Sequence, residues 1–216
     1  MISATEALDR LRKGNNRFLP ESKLVSGKKR SAWSDTSRAA SKPDREKTVP
    51  KQEPFAILLG CSDARVPLEI VFDQGLGDLF VIRVAGNIVA PSQIGSVEFA
   101  ASEFGTRLVV VMGHSHCGAV AATLDELKQP GTSRSPNLAS IVDRISPAVE
   151  PLLRNNEFSD EESLMKEAVR ANVRASVNKL QTGSTILEDL INKDGLQIVG
   201  AEYSIETGNV EFLQED

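Results

Sequence analysis

The feature that most constrains the fold is a set of four short apolar runs separated by segments with helical spacing. Continuous apolar runs are typical of strands that are covered on both faces, whereas a strand with one face in water alternates apolar and polar residues. The four runs occupy residues 55–60, 79–84, 107–113 and 196–201.

Helical patterns fill the intervals between these runs, and strand–helix alternation is typical of a parallel sheet. We therefore predict an α/β fold with a four-stranded, mainly parallel sheet and helices on both faces. Residues 209–213 follow Thr207 and Gly208 and predict an added C-terminal antiparallel edge strand. The helical patterns lie at 67–72, 92–104, 117–128 and 138–192, the last broken near Pro147, Pro151 and Gly183.

The first part of the chain predicts a helical arm. Residues 3–18 have amphipathic spacing and begin with the S-x-x-E capping pattern, while residues 20–53 are mostly polar and predict a solvated connector. We therefore divide the chain into residues 1–53, an N-terminal helical arm with its connector, and residues 54–216, an α/β domain. The two parts are expected to form one globular domain.

Charge and hydropathy argue against two classes of partner. The formal net charge is -5, so no overall basic surface is available for nucleic acid or for anionic lipid. The longest nearly apolar run, 108–113, is far too short to span a bilayer, and the N-terminus has no apolar signal segment. We therefore expect no nucleic-acid or membrane partner and a cytoplasmic location.

The residues that carry chemistry gather where two of the predicted strands end. The first run leads into GCSDAR at 60–65, and the third ends in GHSHCG at 113–118, which holds both histidines and one of the two cysteines. Ligand sites of parallel sheets gather at the carboxyl ends of strands. Cys61, Cys117 and one histidine would supply two sulfur ligands and one nitrogen, a set that suits a catalytic zinc with an open fourth position.

Asp63 and Arg65 stand two positions apart beside Cys61 and are predicted to pair with each other. The arginine would hold the carboxylate ionised and aimed at a metal-bound water. An ordinary ion pair at a strand end is the simpler interpretation of the spacing alone. The neighbouring metal-type ligands favour the functional interpretation, in which Arg65 aims the Asp63 carboxylate at a metal-bound water.

The combination of C-S-D-x-R with G-H-x-x-C-G resembles the β-class carbonic anhydrases, and residues 77–87 and 95–100 are similar to the connecting segments of that family. The resemblance implies one zinc ion per chain as the cofactor. It also implies the roles of the site residues: zinc ligands Cys61, His114 and Cys117, a catalytic dyad of Asp63 and Arg65, and substrate-pocket residues Gln52, Phe80, Phe99 and Gly118.

His116 is the histidine that this resemblance leaves outside the ligand set. An unperturbed imidazole titrates at about pH 6.5, which makes His116 a candidate proton relay. The alternative is a side chain that makes a structural hydrogen bond at the start of a helix. Gly118, two residues later, is expected to let the backbone turn closely beside the substrate pocket.

Members of the resembled family occur in an open state, with the aspartate on the arginine, and in a closed state, with the aspartate on zinc. The closed state is associated with a tryptophan three residues before the first cysteine, where this chain has Leu58. Arg83 and Tyr203 match the other two residues of the closed-state bicarbonate pocket, but the arginine occurs in both types. The open type carries a glutamine that Gln52 matches, so the resemblance implies the open type.

The resemblance implies reversible hydration of CO2 to bicarbonate and a proton, by attack of a zinc-bound hydroxide that the Asp–Arg dyad orients. It also implies a homodimer or a dimer of dimers, with the active site at the interface and the N-terminal helices over the partner subunit. Three alternatives remain: a hydrolase of carbonyl sulfide or carbon disulfide, a non-catalytic zinc protein, and a redox-active cysteine pair.

Overall fold

The computed structural model describes residues 2–19, 51–129, 135–155, 158 and 160–213. Its strands are β1 (Ala56–Gly60), β2 (Leu79–Arg83), β3 (Leu108–His114), β4 (Gln197–Tyr203) and β5 (Val210–Phe212). They form one sheet in the order β2-β1-β3-β4-β5, in which the first four strands are parallel and β5 is antiparallel to β4 at the edge. The predicted sheet is confirmed.

Helices lie on both faces of this sheet, as predicted. A 3-10 turn, Ala85–Asn87, follows β2. The α-helices are α1 (Ala4–Phe18), α2 (Leu68–Val71), α3 (Pro91–Glu103), α4 (Gly118–Lys128), α5 (Pro136–Asn155), α6 (Glu161–Thr182) and α7 (Thr185–Asp194).

The apolar runs are continuous because both faces of the central strands are covered. Every residue of β1 and β3 is buried. Successive side chains of a strand point to opposite faces. Leu58 and Val110 accordingly join the core beneath α1 and α2, whereas Leu59 and Val111 join the core beneath α3, α6 and α7. Each fully buried aliphatic side chain contributes about 1.5–3 kcal/mol to folding.

Helix α5 differs from the prediction, because it continues through Pro147 and Pro151 instead of breaking there. A proline inside a helix costs about 3 kcal/mol. Both prolines lie on the exposed side, where water can hydrate the carbonyl groups that lose their N–H partners. On the opposite side, Val142, Ile145 and Val149 are buried against α4 and α6, and this burial offsets the cost.

The break at Gly183 is confirmed, and the N-terminal helix begins as predicted. Ser3 accepts a hydrogen bond from the Glu6 N–H, and the Glu6 carboxylate accepts one from the Ser3 N–H, which forms the capping box. Gly14 lies against the backbone that directly follows α2. A Cβ atom at this position would lie 1.8 Å from the Phe72 carbonyl oxygen, so only glycine fits.

The predicted N-terminal helix is confirmed as α1, which packs against its own chain. Ala4, Ala7 and Leu11 are buried in the core of their own chain, against the same face of the sheet as α2. These three side chains of the helix are therefore covered within one subunit. Residues 20–50 of the predicted connector lie outside the described residues.

Candidate metal centre

The structure brings Cys61, His114 and Cys117 together at the carboxyl edge of the sheet. Cys61 directly follows β1, His114 is the last residue of β3, and Cys117 precedes the first residue of α4. Strands β1 and β3 are parallel neighbours, with Gly60 opposite Met112, so their ends meet. One ligand atom from each of the three residues lies within 4.8 Å of the other two.

His114 is oriented as a metal ligand. Its side chain is fully buried, and its Nδ1 lies 2.8 Å from the Ser115 carbonyl oxygen. A carbonyl oxygen can only accept, so Nδ1 carries the proton and Nε2 presents a lone pair. In the described part of the chain this buried Nε2 has no hydrogen-bond partner. A buried polar atom without a partner requires an explanation, and a metal ion held with the two sulfur atoms provides one.

The two sulfur atoms influence each other's ionisation. The contact between them lowers the pKa of the Cys61 thiol and raises that of Cys117, because the pair releases its first proton easily and holds the second tightly. The Gly86 N–H donates a hydrogen bond to Cys61 Sγ at 3.3 Å, which favours the thiolate. The donor set of two sulfur atoms and one imidazole nitrogen therefore fits zinc.

Asp63 and Arg65 form the predicted pair. The Arg65 side chain donates to both carboxylate oxygens of Asp63, from Nε at 3.0 Å and from Nη2 at 2.7 Å, and the Arg65 backbone N–H donates at 2.9 Å. The hydrogen bonds from Arg65 hold the pKa of Asp63 well below its usual range. Asp63 Oδ2 lies 3.9 Å from His114 Nε2, so an ionised carboxylate borders the ligand set.

Two residues that contact the Cys61–Asp63 turn were not predicted to do so from the sequence, Arg83 and Gly86. Arg83, at the end of β2, donates to the carbonyl oxygen of Cys61 at 3.1 Å and to that of Asp63 at 2.6 Å. The family resemblance associated Arg83 with a bicarbonate pocket, and in the structure its guanidinium holds the backbone of the Cys61–Asp63 turn. Arg83 is the last residue of β2, which pairs with β1, and this position was the sequence feature that could have indicated the contact. Gly86 gave no signal, because its contact with Cys61 is made by a backbone N–H.

His116 lies at the surface next to the ligand set. Its backbone is left-handed, with φ of 55°, and its Nε2 is hydrogen-bonded to Glu206. Glu206 also accepts from Ser115 Oγ at 2.8 Å and from Ser204 Oγ at 2.9 Å. The His116 imidazole therefore connects the turn before α4 to the turn after β4. This contact matches the alternative in which His116 makes a structural hydrogen bond at the start of a helix.

Of the predicted substrate-pocket residues, Gly118 directly follows Cys117, whereas Phe80, Phe99 and Gln52 lie elsewhere in the chain's own fold. Phe80 lies opposite Ile57 on β1, four residues before Cys61, which is about 13 Å along the strand. Phe99 is 52% exposed, and the two rings pack together at 6.3 Å between centroids. Gln52 is exposed ahead of β1.

Gly118 has no conformational need for glycine. It is the first residue of α4 and lies outside the left-handed region. A Cβ atom added there would meet no heavy atom of its own chain within 4 Å. The close backbone turn expected at Gly118 occurs instead at His116.

The described residues include no helix that is both long enough and apolar enough to cross a membrane.

Comparison with known proteins connects the chain to a family. The family model described as carbonic anhydrase matches residues 56–210. Carbonic anhydrase 2 of Mycobacterium tuberculosis is 38% identical over 157 residues, which cover 73% of each chain. The carbonic anhydrase of Mycolicibacterium smegmatis is 37% identical over 166 residues, which cover 74% of this chain and 75% of that one.

Solved structures share the fold. One of two tetrameric β-carbonic anhydrases from Sordaria macrospora superposes with a TM-score of 0.73 at 24% identity, covering 84% of this chain and 91% of that one. The β-carbonic anhydrase CcaA superposes with a TM-score of 0.69 at 25% identity, covering 98% and 93%. The parallel sheet with its antiparallel edge strand is therefore an architecture known from solved proteins.

Proposed function

Since the chain belongs to the β-class carbonic anhydrases, we propose that it hydrates CO2 with a zinc ion held by Cys61, His114 and Cys117. The observation that carries the proposal is the buried Nε2 of His114, which has no hydrogen-bond partner among the described residues and lies with two sulfur atoms. When bound, zinc supplies a Lewis acid that lowers the pKa of a coordinated water from 15.7 to about 7.

The chain's own contribution to the reaction is the Asp63–Arg65 dyad. Asp63 is ionised and lies within 3.9 Å of His114 Nε2, so it can accept a hydrogen bond from the attacking water. Arg65 fixes both carboxylate oxygens. A fixed acceptor orients the water so that its lone pair faces CO2, which lowers the entropic cost of the reaction. Because both oxygens are held by Arg65, we propose the open type of site, in which Asp63 is not a zinc ligand.

We further propose a homodimer, or a dimer of dimers, with the active site at the interface. Strand β2 is an edge of the sheet, and its residues Leu79, Phe80 and Val81 are only partly buried. An unpaired edge with partly exposed apolar side chains is a surface for association with another chain. Phe80 and Phe99 lie far from the ligands of their own subunit, which supports a contribution, together with Gln52, to the partner's substrate pocket.

A cytoplasmic location is also proposed. Cys61 and Cys117 are free thiols, and their role as metal ligands requires that they stay reduced, which a reducing compartment ensures. The same requirement argues against the redox-pair alternative. The division into residues 1–53 and 54–216 is retained as a proposal, with α1 as part of the common core.

The test is stopped-flow CO2 hydration, followed with a pH indicator, on protein whose zinc content has been measured. Zinc-replete protein is expected to hydrate CO2 rapidly at mildly alkaline pH, and removal of zinc with a chelator is expected to abolish the rate. No activity from zinc-replete protein would refute the proposal. A parallel assay of hydrogen sulfide release from carbonyl sulfide distinguishes the hydrolase alternative, which predicts turnover of that substrate but not of CO2.

A further inference from the structure

We propose that Asn172, on α6, is a positioning residue for the metal-binding sulfur of Cys61. It acts through the turn Ala85–Asn87, whose backbone contacts that sulfur. This inference rests on the proposed zinc site, but it concerns residues that the family motifs in the sequence did not single out. Asn172 lies 111 residues after Cys61 in the chain.

The contacts form a continuous path from α6 to the sulfur atom. Asn172 is 2% exposed, and its Nδ2 donates to the Gly86 carbonyl oxygen at 2.8 Å. The Gly86 N–H donates to Cys61 Sγ at 3.3 Å. One residue of the turn therefore receives a hydrogen bond from α6 at its carbonyl and gives one to the sulfur through its N–H.

A second hydrogen bond from α6 also holds this turn from outside. Gly86 and Asn87 both have left-handed backbones, with φ of 69° and 43°. Glycine adopts this conformation freely and asparagine tolerates it. The Asn87 side chain does not secure the turn through its Nδ2, which has no partner among the described residues. Ser176, one turn further along α6, donates to the Asn87 carbonyl oxygen at 3.1 Å.

Packing leaves the Gly86 peptide groups little freedom except rotation. A Cβ atom on Gly86 would lie 2.8 Å from Ile145 Cδ1 and 3.0 Å from Ala119 Cβ, so α4 and α5 press on the turn from outside. The φ and ψ rotations of Gly86 remain, and they determine where its N–H points. Without the Asn172 donor, the Gly86 carbonyl would be buried and unsatisfied, and rotation toward another donor would turn the N–H away from Cys61.

The two sulfur ligands differ in the source of their backbone donors. The backbone N–H groups of Ala119 and Val120, in the first turn of α4, favour the Cys117 thiolate by lowering its pKa, and the helix itself holds them in place. The Cys61 thiolate is favoured by the backbone N–H groups of Gly86 and Asp63, and Asn172 holds the Gly86 donor from a distant helix. An N–H group on a metal-bound thiolate withdraws charge from the sulfur, so Asn172 influences how strongly Cys61 donates to the metal.

The experiment compares the variants Asn172→Ala and Asn172→Leu with the wild-type chain. Zinc affinity is measured by competition with a chromophoric chelator, and the sulfur-to-metal charge-transfer band is recorded after cobalt substitution. Loss of an outer hydrogen bond to a ligand typically weakens metal binding about 10–100-fold, and we expect a loss of that size. The cobalt band is expected to move to lower energy, because a sulfur that has lost an N–H donor gives up an electron more easily.

Asn15→Ala is the matched control. Asn15 is also a buried asparagine, 3% exposed, and it donates to the carbonyl oxygens of Val71 and Gly208 at 3.1 and 2.9 Å, away from the metal centre. This variant is expected to lose stability while its zinc affinity and cobalt band stay unchanged. A purely structural role for Asn172 predicts the same behaviour for the Asn172 variants.

Folded Asn172 variants with wild-type zinc affinity and an unshifted cobalt band would overturn the inference. If neither variant folds, Ser176→Ala provides the test, because it removes the neighbouring contact to the same turn. A shift of its cobalt band to lower energy supports the inference, and an unshifted band contradicts it. A wild-type chain that binds no zinc would instead refute the proposed function.

Discussion

The dyad gives the sharpest mutational prediction, which is Asp63→Asn. The substitution keeps the size of the side chain but replaces one carboxylate oxygen with an amide nitrogen and its two hydrogens. Arg65 donates to both oxygens, at 3.0 and 2.7 Å, so one of its donors would face another donor. The remaining amide oxygen stays on Arg65, and the water that attacks CO2 loses its charged acceptor.

The size of the effect follows from that one hydrogen bond. A hydrogen bond to a charged group contributes about 1.5–3 kcal/mol, and every 1.36 kcal/mol corresponds to a tenfold change in rate, so the upper value predicts a fall in kcat of about 100-fold. Zinc content should stay at the wild-type level, because Asp63 is not among the three proposed ligands. Stopped-flow CO2 hydration, normalised to measured zinc, provides the rate.

Asp73→Asn is the control for Asp63→Asn. Asp73 pairs with Arg17 of α1, and its backbone has φ of 47°, a conformation that asparagine tolerates. The Asp73→Asn substitution therefore removes an arginine-paired carboxylate away from the metal centre, and the rate of this variant should equal that of the wild type. If zinc-replete Asp63→Asn hydrates CO2 within about threefold of the wild-type rate, an effect below about 1 kcal/mol, the role assigned to Asp63 is wrong.

Three further substitutions test separate parts of the structure. Cys61→Ser should lose most of its zinc, measured by metal analysis after dialysis, because a hydroxyl is a far poorer zinc ligand than a thiolate; full retention would contradict the ligand assignment. Asn15→Ala removes two hydrogen bonds to backbone carbonyls and one from the Val210 N–H. The free energy of unfolding measured by urea titration should therefore fall by about 3 kcal/mol. An unchanged urea midpoint would contradict the stabilising role of these hydrogen bonds. Phe99→Lys should shift sedimentation toward a monomer and reduce the rate with zinc retained, whereas an unchanged assembly would remove Phe99 from the interface.

The sheet, and the meeting of Cys61, His114 and Cys117 at its edge, could be predicted from sequence because local patterns encode them. The burial of both faces of β1 and β3 leaves continuous apolar runs, and parallel pairing brings their ends together. The choice between His114 and His116 needed the family resemblance. The structure adds a physical reason for it, since Nε2 of His114 is buried with the two sulfur atoms while His116 faces Glu206 at the surface.

Other features depend on contacts between distant parts of the chain, which local patterns do not reveal. Pro147 and Pro151 predict breaks, but the buried opposite side of α5 outweighs them. The capping box identifies the start of α1 but not the surface on which the helix packs. The contacts of Arg83 and Asn172 with backbone carbonyls leave no mark in the sequence around Cys61.

The measurement that tests the central claim most directly is X-ray absorption at the zinc edge of the wild-type enzyme. Cys61, His114 and Cys117 as ligands, with Asp63 held by Arg65, predict two sulfur atoms at about 2.3 Å, one imidazole nitrogen at about 2.0–2.1 Å, and a single light atom that Asp63→Asn leaves in place. A zinc shell with four sulfur atoms, with no sulfur, or with its fourth ligand lost in Asp63→Asn would contradict the account.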